Sequence, residues 1–350
     1  MKELIAGPTR FALVGVLLWC ALGATGAPAS AAAGVRPLIR SVPDPVMSAP
    51  APLPRLTVRV FARTGLHLGG ILWTGTQFLY PSESGRSIEA GDGGGRRLHV
   101  LTTVPTNSGE MRCILSPATH GFPTGGYFCH ASGNQIYQIS GDGRHVTLFA
   151  QLPGKQGSDG ALTYDSGGAF GFKLLGATGG SDAGSGGAVY TIGADRSVAR
   201  IGGYGGPGGA ENAMMAPPGF GQAAGDLLLA IDKHDHLGRL LAMDPAGKTY
   251  TLVRGLTYGL NPLAVIGAST NRAGVVSPGL YIADWYSHNV LFIPGAELKP
   301  YAAALFVATE RRGQLYVVLP AVAGDYRLSS LATDLHQPDY NFEGAVYVGG

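Results

Sequence analysis

The sequence predicts an all-β fold, and three observations carry the prediction. Glycine accounts for 56 of 350 residues, while charged residues make up only 14% and hydrophobic ones 45%. That balance suits many tight turns between buried strands and excludes a charged, disordered chain. From Leu56 onward, short runs rich in Val, Ile, Leu and Tyr alternate with clusters of Gly, Asp, Ser and Asn, with no convincing amphipathic helix among them. Third, five hairpin exits look alike, at Ile136, Val189, Leu240, Val290 and Leu315, and successive ones are 53, 51, 50 and 25 residues apart. A repeat of about fifty residues, each unit holding several short antiparallel strands, is the signature of blades arranged radially around a channel.

The chain opens with a segment that reads as an export signal. Lys2 and Arg10 accompany an apolar run from Phe11 to Leu22, and small residues follow as far as Ala29, Ser30 and Ala31. This is the order of a secretory signal peptide over residues 1–31, and the run is short for a membrane span. One alternative is a lipid anchor on Cys20, where bulky Trp19 stands in place of a small residue; the other is an uncleaved anchor. Residues 32–55 are rich in Ala and Pro, from Pro37 to Pro54, and read as an extended linker. Cleavage leaves Cys113 and Cys129. In an oxidising compartment these two are expected to form one disulfide, contributing about 3 kcal/mol for a loop of this size, with a pair of buried thiols as the alternative.

Residues 56–350 are expected to form a single β-propeller, most simply of six blades with four antiparallel strands each. The segment "ILWTGTQFLYPSESGRSIEA" (71–90) supplies a first, weaker blade. The exits "GNQIYQI", "GGAVYTI", "LGRLLAM", "SHNVLFI" and "RGQLYVV" mark later ones, most of them preceded by an apolar strand such as "GGYFCHAS", "GDLLLAID", "GLYIADW" or "ALFVATE". The short last step predicts a degraded or rearranged final blade. Leu56 to Ala62, "LTVRVFA", has no place in the first blade and is expected to pair with C-terminal strands, closing the ring and removing its sheet edges.

"LYIADWYSHNVLFI" resembles the Tyr, Ala, Asp and later His-Asn hairpin of NHL-repeat propellers. "SDGALTYDSGG" and "YGLNPLAVI" are similar to blade-entry strands of gluconolactonase-like propellers, within the TolB-like group of six-bladed folds. The resemblance covers about Leu66 to Gly350 and implies fold more than function, because propellers host hydrolases, lyases and binding modules alike.

A second series runs in step with the first. Glu110, Asp159, Glu211 and Asn261 are 49, 52 and 50 residues apart, and Glu343 stands in a comparable place in "FEGAVYV". Residues repeating at the blade period converge in space, so these five are expected just before the inner strands, around one mouth of the channel. Two carboxylates about 6 Å apart at an effective dielectric near 20 repel by about 3 kcal/mol. A divalent cation would relieve that repulsion, and hard oxygen ligands suit calcium or magnesium. The alternative is that they are solvated loop acids, or acids bonded to backbone N–H groups at strand starts. The resemblance implies a metal held by a Glu, an Asn and an Asp at channel-facing entry positions. Asp159 and Asn261 match such positions, with Glu110 or Glu343 as the glutamate, although Asp precedes Asn here, opposite to the family's order. A lyase of the strictosidine-synthase type would offer one channel glutamate, and the sequence does not select it.

Other signals point to turns. His234, Asp235 and His236 in "KHDHLGR" fall between two apolar strands, and "YDSGGAF" (164–170) lacks a partnering histidine motif. The clusters "GATGGSDAGSGG" and "GGYGGPGG" lack the following helix and lysine of a phosphate loop. A formal charge of +2 gives no electrostatic reason for a nucleic-acid partner.

The sequence therefore predicts an exported, monomeric propeller, with no stable membrane insertion after signal cleavage. It is expected to act as a binding or scaffold protein that recognises a small molecule, glycan or protein at its channel face. The alternative is a divalent-metal-dependent lactonase or esterase-like hydrolase of the gluconolactonase-like type.

Overall fold

The computed structural model describes residues 55–83, 86–106, 109–154, 160–180, 186–232, 238–267, 276–321, 324–335 and 340–349. The expected signal peptide, the linker up to Pro54, Asp159 and the turn bearing His234, Asp235 and His236 lie outside the described residues.

Strand β1 (Arg59–Arg63) comes first and is used last. Blade one is β2 (Leu72–Trp73), β3 (Gln77–Pro81), β4 (Ser87–Asp92) and β5 (His99–Thr103). Blade two is β6 (Arg112–Leu115), β7 (Gly126–Ala131), β8 (Gln135–Ser140) and β9 (Val146–Gln151). Blade three is β10 (Gly160–Tyr164), β11 (Leu174–Thr178), β12 (Gly187–Ile192) and β13 (Val198–Tyr204). Blade four is β14 (Gly209–Met215), β15 (Leu227–Asp232), β16 (Gly238–Met243) and β17 (Thr249–Leu256). Then the order breaks. Strand β18 (Leu260–Val265) begins blade five, but the chain next forms the hairpin β19 (Gly279–Asp284) and β20 (Asn289–Pro294), which belongs to blade six. It returns to complete blade five with β21 (Leu305–Thr309), β22 (Leu315–Pro320) and β23 (Tyr326–Ser330), and ends in β24 (Phe342–Val348). Blade six is ordered β24, β19, β20, β1. The fold is a six-bladed β-propeller.

This order accounts for the sequence periods. Ile136, Val189, Leu240, Val290 and Leu315 all lie in the third strand of their blade. The 25-residue step is the inserted hairpin, so the last blade is rearranged. The ring closes as expected, with β1 joining the sheet of the C-terminal β24; its direct partner there is β20, from Arg59 opposite Phe292 to Arg63 opposite Asn289. One edge of β24 is taken by β19, and β1 pairs at the opposite side of that sheet, on the free edge of β20.

No single core holds the ring. Buried apolar residues form six layers among the described residues, each between two neighbouring blades. Alternation along each middle strand produces this: in β15, Leu227, Leu229 and Ile231 face blade three while Leu228 and Ala230 face blade five. A strand buried on both faces needs no polar side, which is why "LLLAID" and "LYIAD" read as unbroken apolar runs. Cys113 and Cys129, opposite one another on β6 and β7, form the expected disulfide. Among the described residues, no helix is long and apolar enough to cross a membrane.

Phe61 of β1 fastens the closure. Its ring lies edge-on to Phe78 of blade one at 5.2 Å and to Tyr281 of blade six at 4.7 Å. Phe61→Ala is expected to lower the unfolding free energy by about 2–3 kcal/mol, short of the full core value because Phe61 keeps some exposure. Urea denaturation checks this, with Val60→Ala, 48% exposed on the same strand, expected to change stability by less than about 1 kcal/mol.

Candidate functional site: an acidic channel mouth around Arg112

Three inner strands begin with the same irregularity. Pairing of β14 with β15 passes from Ala210 to Asn212, pairing of β24 with β19 passes from Phe342 to Gly344, and pairing of β18 with β21 passes from Leu260 to Leu263. Glu211, Glu343 and Asn261 are thereby left off the ladder. Such a bulge re-aims the side chain of the extra residue, and here all three converge. The sequence placed them just before the inner strands; they lie within them, while Glu110 does sit ahead of β6. The strand exits clamp these entries. Asp284 accepts the Asn341 N–H at 2.9 Å and Trp285 donates its N–H to Asn341 O at 2.8 Å, just ahead of Glu343. Glu310 donates its N–H to Gly259 O at 3.1 Å, just ahead of Asn261.

Arg112, the first residue of β6, sits among the carboxylates. Its Nη2 is 2.9 Å from Glu110 Oε2, 3.0 Å from Glu343 Oε2 and 3.2 Å from Glu211 Oε2, and its Nε donates to the Glu211 carbonyl at 2.9 Å. Asn261 Nδ2 donates to Glu343 Oε2 at 2.6 Å and to Glu310 Oε1 at 3.0 Å. Glu110, Glu211, Glu310 and Glu343 each bring an oxygen to within 4.8 Å of the others. The structure thus gathers Glu110, Glu211, Asn261 and Glu343; Asp159 lies outside the described residues. Sequence reasoning missed Arg112, Glu310 and His130. Arg112, two residues after Glu110 in "EMRCIL", is a base and stood outside the series; Glu310 ends "ALFVATE", 49 residues after Asn261 and so at the blade step, but just past the second strand of its blade instead of at an inner-strand entry.

The electrostatics follow from burial and crowding. Burial favours loss of the Arg112 proton, but the charges of Glu110, Glu343 and Glu211 outweigh it and hold the guanidinium charged. Burial, then Glu110, pushes the Glu343 carboxyl well above its ordinary value, with Arg112 opposing. Burial does the same to Glu310, followed by Glu343, Asp232 and Glu110. His130, opposite Arg112 on β7, is held neutral by burial and by the Arg112 charge, its pKa lowered to about 4. A Cβ on Gly160 would lie 1.8 Å from His130 Cε1, so only glycine fits at the entry of β10.

The donor set is chemically suited to a hard divalent cation: four carboxylates, and a buried Asn261 Oδ1 without a hydrogen-bond partner. The space between Glu110, Glu211 and Glu343, however, holds Arg112 Nη2. The donors beside it that Arg112 does not contact are Glu310 and Asn261 Oδ1, next to Glu343, and a metal would be held there.

Of the segments read as turns, the one at Asp165 forms a turn. Asp165 accepts backbone N–H groups of Ala169, Phe170 and Phe172 at 3.1, 2.7 and 3.0 Å. In the turn between β19 and β20, Asn289 donates to the Ser287 hydroxyl at 2.9 Å, and Asp284 accepts from Ser287 as well as from the distant Asn341.

No protein-family model matches the chain, and no curated protein matches it. Among solved structures, it is similar to a chain of a nidogen/laminin complex, at 11% identity and a TM-score of 0.52, covering 80% of this chain and 84% of that one. A putative gluconolactonase aligns at 13% identity and a TM-score of 0.44, over 82% of this chain and 84% of that one. At these identities the likeness shows the fold alone.

Two measurements test the arrangement. Arg112→Met removes the partner of three buried carboxylates and is expected to cost about 3–5 kcal/mol at pH 7 by urea denaturation. The loss should shrink as pH falls, because the Glu343 carboxyl, held well above its ordinary value by burial and Glu110, takes up a proton. His130 adds a pH dependence of the same sense. Between pH about 6.5 and about 4 the unfolded chain takes up a proton that folded His130 refuses, so its contribution falls as pH drops, by about 3 kcal/mol in all. His130→Gln is expected to show a shallower loss of stability across that window than the unsubstituted protein.

Proposed function

We propose that the protein is an exported recognition propeller whose acidic mouth receives a positively charged group of its ligand or partner. The observation that carries this reading is the charge imbalance: Glu110, Glu211, Glu310 and Glu343 share one guanidinium, with Asp232 and Glu83 close enough to raise their neighbours' pKa values. A second cation at partly exposed Glu310 relieves that repulsion. The nidogen/laminin neighbour comes from an assembly of proteins, which supports a propeller of this kind as a docking platform.

A second reading is the metal-dependent hydrolase of lactones or esters, favoured by the four convergent glutamate oxygens. An ion there would be held by Glu310, Glu343 and Asn261 and would supply Lewis-acid polarisation of a carbonyl. Arg112 weighs against it, because a tethered cation already uses three of the carboxylate oxygens.

Thermal unfolding with spermidine, calcium, magnesium or manganese separates the two. Spermidine is expected to stabilise saturably, by about 2.7 kcal/mol at a hundredfold excess over its dissociation constant, and the effect should vanish in Glu310→Gln. Saturable stabilisation by calcium, lost in the same variant, would favour the hydrolase. No response to any of them would remove the mouth as a cation site.

A further inference from the structure

The inner strands run through the molecule in one sense, so the channel has a second end with different chemistry. Four residues beyond Glu211, roughly 13 Å along an extended strand, Met215 lines a cavity of about 860 Å³. Met214 and Met215 end β14, Leu263 and Val265 end β18, and Val346 and Tyr347 lie near the end of β24, so blades four, five and six all contribute walls. The turn after β10 adds Asp165 and Ser166.

We infer that this cavity is a binding site for an uncharged, largely apolar small molecule, distinct from the acidic mouth. Its size is that of small-molecule sites, which are concave, mostly apolar and provided with few polar groups. Charge is what excludes other ligands. No Lys, Arg or His stands among the described residues of the wall, and its one carboxylate, Asp165, is already occupied by three backbone N–H donors. An ionised ligand would lose its hydration there and gain no counter-charge. Ser166 and Tyr347 can meet a single hydroxyl or carbonyl, and two adjacent methionines supply an adaptable wall. The Arg112 cluster stands at the opposite mouth, at the starts of the same strands.

Titration with the neutral fluorophore N-phenyl-1-naphthylamine tests this. The expected result is saturable one-to-one binding, weakened at least tenfold by Met215→Glu and by Val265→Glu, two half-buried wall positions on different blades, and kept by Met215→Leu. Urea midpoints report whether each variant is folded, and either folded variant suffices. If both glutamate variants unfold, competition between the neutral probe and its anionic sulfonate analogue on the unsubstituted protein decides, with much weaker binding of the anion expected. Glu310→Gln, at the other mouth, should bind the probe unchanged. The inference is overturned by absence of saturable binding, by folded glutamate variants that bind normally, by equal affinity for the anion, or by loss of binding in Glu310→Gln.

Discussion

The contact of Arg112 with three carboxylates is what allows the six inner strands to share one mouth. Arg112 enters from blade two, while Glu211 belongs to blade four and Glu343 to blade six, so one guanidinium spans the channel between alternate blades. Asn261 extends the chain of bonds to blade five and Glu310. Without a cation at that point, bulged strands aimed inward would bring like charges together in a desolvated space, a cost that hydrophobic layers between blades cannot offset locally. Lysine would not serve as well: the guanidinium presents Nε to the Glu211 carbonyl and Nη2 to the carboxylates from one planar group.

Direction along the inner strands explains why the two ends of the channel differ. Each strand enters at the acidic mouth and leaves at the apolar one. The bulges sit at the entries, where they turn Glu211, Asn261 and Glu343 off the ladder and into the channel. At the exits, pairing is regular and the side chains are Met, Leu, Val and Ala. Polar chemistry therefore gathers where the backbone is irregular, and apolar space opens where it is not.

The fold was legible in the sequence because a propeller repeats its local pattern. Phe128, Leu175 and Leu228 all belong to apolar runs that two-sided burial explains, and a step of about fifty residues places them in successive blades. The mouth was legible in part: Glu110, Glu211 and Asn261 recur at the same step, and Glu343 shares their context. Arg112 was not legible, since no other base stands at the blade period and it is recruited by geometry across the ring; Glu310 stands 49 residues after Asn261, but just past the second strand of its blade, where nothing local marks it as facing the mouth. The partner of β1 was hidden for a related reason. Nothing local in "LTVRVFA" distinguishes pairing with β20 from pairing with β24; the difference lies in which end of the β24-β19-β20 sheet the strand joins.

The inserted hairpin ties site assembly to ring closure. Strand β18 finds its partner β21 only after the chain has gone out to form β19 and β20, and those two strands then need β24 and β1 from opposite ends of the described chain. Blades five and six therefore cannot be completed one after the other. Their shared layer, from Leu280 and Ile282 to Phe306 and Val317, forms only when both are in place. Asn261 and Glu310 come from blade five and Glu343 from blade six, and Asp284 positions Glu343 through Asn341. The outer half of the acidic mouth is thus built by the same step that closes the propeller, so the site and the last blade boundary are expected to form, and to be lost, together.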